Sequence, residues 1–122
     1  MADAELLRML AAEADRRSPT IIGGIEELAA SGKKDSARIE ELRAEAHGLK
    51  GAALVVGQDR LADLARLIEA YLAGCVESGR IKPGAAAPIV AAASAFTEGA
   101  QAAAEGVGEP SSVRESLEAL GR

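Results

Sequence analysis

Residues 39–56 read Ile39-Glu40-Glu41-Leu42-Arg43-Ala44-Glu45-Ala46-His47-Gly48-Leu49-Lys50-Gly51-Ala52-Ala53-Leu54-Val55-Val56, and the spacing of their apolar members decides the fold class. Ile39, Leu42, Ala46, Leu49, Ala53 and Val56 recur every three or four residues, so at about 100° per residue they form one stripe along a helix, the seam that faces a core. His47, the only histidine of the chain, lies roughly 130° from the middle of that stripe. This puts the imidazole at the surface beside Arg43, Gly51 and Leu54, its neighbours along the same face. Lys50 sits on the flank between core and histidine, with a stem long enough to bring its ammonium to anything attached to the ring. An interior glycine costs a helix about 1 kcal/mol against alanine. Gly48 and Gly51 are therefore either drift tolerated in an alanine-rich segment or gaps that open the surface beside the imidazole.

Working outward, the punctuation by Pro, Gly and short polar clusters predicts about six helical pieces. A short first helix, Ala4 to about Ala14, carries Leu6, Leu7, Met9 and Leu10. Ser18-Pro19 then reads as an N-cap followed by a first-turn proline, opening a second helix to about Ala30 that Gly23-Gly24 weakens. After a turn at residues 31–34, Asp35 or Ser36 caps the central helix and Gly57 stops it. Gln58 to about Ser78 places Leu61, Leu64, Ile68, Tyr71 and Cys75 on a bundle seam opposite a polar face. A break at residues 79–84 precedes an alanine-rich helix from Ala85 or Pro88 to Ala104, with Ile89, Ala93, Phe96 and Ala100 on one side. Past Gly106-Val107-Gly108, a last short helix from Pro110 offers Val113, Leu117 and Leu120 to dock or fray.

Composition narrows the class. At 122 residues, 48% apolar and 27% charged, the chain fits one folded domain. Aromatics are 2% of it, so the core is built from Leu, Ile, Val and Ala, which favours close helix packing over a sheet. A net charge of -5 with scattered basic residues argues against a nucleic-acid footprint. One cysteine, Cys75, and one histidine exclude an internal disulfide and a structural zinc set; Cys75 reads as a small core hydrophobe. No stretch has the length of a membrane span or the basic start of a signal peptide. The expectation is a cytoplasmic protein that binds neither nucleic acid nor membrane.

From His47 to Glu69 the chain resembles the signature of histidine-containing phosphotransfer (HPt) domains: H-x-L-K-G, five residues, G, three residues, L, two residues, L-[AC], two residues, [LI]-E. His47, Leu49, Lys50, Gly51, Gly57, Leu61, Leu64, Ala65, Ile68 and Glu69 meet every stated position. Gly48 departs from the family, where the residue after the histidine more often bears a side chain. The resemblance implies an all-α, up-down four-helix bundle with additional short N- and C-terminal helices, one HPt domain over residues 1–122 with its signature region at 39–78. It implies a phosphocarrier without ATP binding or autokinase activity, and the chain holds no G-x-x-x-x-G-K-[ST] loop. His47 would accept a phosphoryl group from a receiver-domain aspartate and pass it to another receiver. Lys50 would stabilise the phosphate, Gly51 would leave access for the partner, and Glu69 would orient the ring.

Arg43 and Leu54 are candidate docking contacts. The implied partners are the receiver domains of response regulators and of a hybrid histidine kinase, with Mg²⁺ coming from the receiver and no cofactor of the chain's own. The chain reads as a stand-alone monomer. Against this stand a helical adaptor that sequesters a receiver or kinase without carrying phosphate, a helical interaction protein outside any relay, and a sugar-transport phosphocarrier, which the absence of strand patterns disfavours.

Overall fold

The apolar stripe of residues 39–56 forms a helix whose ends are set by local chemistry. The Asp35 carboxylate accepts the Arg38 amide N–H at 3.0 Å and caps the start. Gly57, at φ +72°, lets the chain turn away at the end. The computed structural model describes residues 3–121, which hold five helices and no strand among the described residues. They are α1 (Ala4–Ser31), α2 (Ser36–Val55), α3 (Asp59–Cys75), α4 (Pro83–Glu105) and α5 (Ser111–Leu120). Helix α2 packs between α1 and α3, and α4 packs between α3 and α1, so four helices close a ring while α5 lies against α3 and α4. Short connections reverse the chain from each helix to the next, as in an up-down bundle. The five stripe residues within α2 and Val56 at its C-cap are all buried in the centre of the bundle.

Two expectations need correction. No separate N-terminal helix exists: α1 runs unbroken for 28 residues with Pro19 inside it. A proline in a helix interior forfeits a hydrogen bond and crowds the preceding turn, at a cost of about 3 kcal/mol. Pro19 is exposed, however, while Leu10, Ala14, Ile21, Ile25 and Leu28 on either side of it are all buried. Continuous burial of both halves along α2 and α4 outweighs the local stop signal. Ser18, expected as a cap, lies instead in mid-helix with its hydroxyl buried and unpartnered. The second correction concerns α3, whose seam runs through Leu61, Leu64, Ile68 and Leu72. Tyr71 and Cys75 flank it half-buried, because the step from Ile68 to the next core position is four residues and not three.

Gly24 and Val113 anchor the remaining packing. A Cβ on Gly24 would stand 2.6 Å from Leu42 Cδ2, so the bare backbone there brings α1 onto α2 at the level of a fully buried leucine. Helix α5 docks through Val113, which has no exposed surface. Helix α4 begins earlier than expected, at Pro83, where the missing N–H costs nothing in the first turn.

Candidate functional site

His47 projects from the middle of α2 with 62% of its side chain exposed, the placement its angle from the apolar stripe requires. The ring leans toward α3, where Glu69 rises one turn beyond the buried Leu64–Ala65 pair. His47 Nδ1 lies 2.9 Å from Glu69 Oε2. The same carboxylate takes Lys50 Nζ at 2.9 Å on Oε1 and Arg43 Nη1 at 3.2 Å on Oε2. One carboxylate, itself only 14% exposed, therefore serves three basic side chains of the facing helix.

Burial of Glu69 opposes its charge, but hydrogen bonds from Lys50 and His47 outweigh it and hold the carboxyl below its ordinary value of 4.5. An ionised carboxylate only accepts, so the proton between Glu69 and the neutral ring belongs to Nδ1. Nε2 of a neutral ring is then the nitrogen with a free lone pair. The arrangement offers a surface imidazole, a neighbouring ammonium and a half-buried carboxylate beside the ring.

The depressed carboxyl has a consequence for stability. A carboxyl whose folded value is lowered adds stability above its unfolded value and loses it as pH falls through the folded one. The thermal midpoint is expected to drop on acidification from about pH 5 to about pH 3, and to drop less in Glu69→Gln, whose amide cannot titrate. Equal slopes in the two proteins would remove Glu69 from the acid response. Glu13 and Glu40, held low by hydrogen bonds from Arg16 and Arg43 respectively, contribute to both slopes.

The other sequence candidates divide. Gly51 is open: a Cβ there would meet nothing within 4 Å, and the gap lies one turn beyond His47. Leu54 is exposed on the same face, followed by Val55 at 76% exposure. Arg43, taken from sequence as a docking charge, is turned inward onto Glu69 and also pairs with Glu40.

Sequence reasoning missed Arg17 of α1. Its guanidinium lies over Gly48, where a Cβ would come within 2.5 Å of Arg17 Cζ, and it bonds Glu45 of α2 at 2.6 Å and Glu13 at 3.0 Å. The signal was the unexplained glycine after the histidine, but its partner is distant in sequence. Among the described residues no cluster of three or more His, Cys, Asp or Glu is placed to hold a metal ion. No helix among them is long and apolar enough to cross a membrane. A family model described as the Hpt domain matches residues 5–120, nearly the whole chain. Comparison with curated proteins gives no match.

Proposed function

Because the chain belongs to the Hpt domain family, whose members are phosphocarrier modules of two-component phosphorelays and not kinases, we propose that His47 accepts a phosphoryl group from a receiver-domain aspartate and passes it to a second receiver. The observation that supports this best is the shared carboxylate. With Nδ1 set 2.9 Å from Glu69 Oε2, a neutral ring that donates to the carboxylate keeps its free lone pair on Nε2. In the transfer, the Nε2 lone pair forms the P–N bond as the P–O bond to the receiver aspartate breaks and the aspartate leaves as carboxylate. The ring becomes a cation, and the half-buried Glu69 carboxylate beside Nδ1 stabilises that developing charge.

Phosphoryl transfer asks a protein mainly for positioning and for neutralisation of charge spread over the phosphoryl oxygens. Lys50 reaches the phosphoryl oxygens from its place beside the ring, while the Mg²⁺ comes with the receiver. Gly51 leaves the in-line approach clear. Leu54, Val55 and Met9 are large exposed apolar side chains. A shallow hollow lined in part by Leu6, Met9, Ala52 and Val55 continues this surface onto α1, and the receiver docks across it. The reading takes the protein as a monomeric, stand-alone carrier in the cytoplasm, with receivers of a hybrid histidine kinase and of response regulators on either side of it.

The test is incubation with a panel of phosphorylated receiver domains and Mg²⁺, followed by intact-mass measurement and acid and alkali treatment. An added phosphate that is acid-labile and alkali-stable is the expected result. Tight binding to a receiver with no transfer from any member of the panel would replace the carrier by an adaptor.

A further inference from the structure

The shared oxygen of Glu69 raises a problem for a nucleophile that must stay neutral. A carboxylate hydrogen-bonded to an imidazole favours the ring's charged form, and an imidazolium has no lone pair with which to attack phosphorus. The ring needs the anion after the P–N bond forms, not before. Opposing charge beside the carboxylate resolves the conflict, and Arg43 supplies it on the very atom that the ring uses.

We infer that Arg43 is a positioning residue of the phosphoacceptor site: by sharing Glu69 Oε2 with His47 Nδ1, its guanidinium limits the pull of the carboxylate on the ring, so that His47 keeps its fixed tautomer while remaining unprotonated. The inference rests on the phosphoacceptor reading for its purpose, but not for its geometry. Arg43 Nη1 lies 3.2 Å from Oε2 and His47 Nδ1 lies 2.9 Å from the same atom. Arg43 stands one turn before His47 on α2, and its remaining nitrogens are engaged by Glu40 Oε1, Nε at 2.8 Å, which directs the fork toward α3. Lys50 occupies the other Glu69 oxygen. The charged groups facing the ring are thus Glu69 from α3 and Arg43 and Lys50 from α2, with Glu40 behind Arg43. Arg17 of α1 pairs with Glu13 on its own helix and with Glu45 across the α1–α2 groove.

Lys50 alone cannot do both jobs. Once a phosphoryl group is attached, the ammonium is drawn to its oxygens and leaves Oε1, whereas Arg43 lies behind the ring and stays with Glu69. The two cations are therefore divided between phosphate and carboxylate.

The single histidine makes the test direct, since one imidazole gives the only histidine ring signals of the protein. Wild type, Arg43→Met, Arg43→Gln and Arg43→Lys are each followed by ring ¹⁵N resonances against pH and by phosphate uptake from a phosphorylated receiver across the same range. Arg43→Met and Arg43→Gln both remove the charge, and Gln keeps a hydrogen-bond donor. Both are expected to take up the second ring proton at a pH higher than wild type by roughly half a unit, and to show the same displacement in the acid limb of uptake. At the wild-type midpoint this is about a twofold loss of rate, recovered two pH units above. Arg43→Lys is expected to follow wild type. A ring in Arg43→Met and Arg43→Gln that titrates as in wild type overturns the inference, whatever uptake shows. Failure of the wild type to gain phosphate from any receiver of the panel, with binding retained, overturns the phosphoacceptor reading instead, and the ¹⁵N titration still decides Arg43.

Discussion

The His47→Gln protein is expected to fold as the wild type does, to bind a phosphorylated receiver, and to gain no phosphate. Position 47 is largely exposed, and glutamine suits a helix at least as well as histidine does, so the thermal midpoint should move by no more than about 2 °C. The carboxamide N–H of glutamine can reach Glu69 in place of Nδ1–H, which keeps the carboxylate from being left with two cations and a gap. What glutamine lacks is a nucleophilic nitrogen, since its amide lone pair is delocalised into the carbonyl. Uptake should therefore fall below detection while affinity for the receiver changes by less than about threefold. Mass spectrometry of the two proteins after the same exposure to receiver and Mg²⁺ reads the difference. An acid-labile phosphate on the variant would mean that another residue accepts it, and the site built around Glu69 would lose its assigned chemistry.

What the sequence made legible follows physical range. The α2 seam could be read because six apolar positions recur at helical spacing, set off by charged residues as far as Lys50, and burial of Ile39 through Val56 follows that pattern residue by residue. The exposure of His47 comes from the same arithmetic. Its proximity to Glu69 does not: the two are 22 residues apart, and only the packing of α2 on α3 brings them together. That pairing entered through the resemblance of the His47–Glu69 segment to the family signature.

Rotamers were beyond reach as well. Arg43 shares an exposed face with His47 by helical angle, yet its side chain turns across to a carboxylate on another helix, a choice made by charge and not by spacing. Arg17 fills the notch at Gly48 from α1 for a similar reason. Ser18-Pro19 shows the opposite failure, where strong local signals for a helix start lose to apolar burial running through both sides of them. The break at Pro19 is overridden because the ring faces solvent while its neighbours pack.

Phe96→Ala is expected to remove a large part of the fold's stability and to leave the chemistry at His47 unchanged in the molecules that remain folded. Phe96 is the only phenylalanine of the chain and is fully buried on α4, the helix that packs against α1, α3 and α5. Loss of the ring leaves a cavity in the core at a cost of about 3–5 kcal/mol for Phe to Ala, against a total of about 5–15 kcal/mol for a domain. The thermal midpoint should fall by about 10–20 °C, read by circular dichroism with a urea titration to confirm two-state behaviour. The proposed phosphoacceptor site is built from α2 and α3 side chains, His47, Arg43, Lys50 and Glu69, and none of them is on α4. Phosphate uptake per folded molecule, measured well below the lowered midpoint, should therefore equal that of wild type. If uptake falls together with stability, the α2–α3 site depends on the α4 side of the bundle, and the loss of one buried ring must have shifted the two helices that hold the histidine and its carboxylate in register.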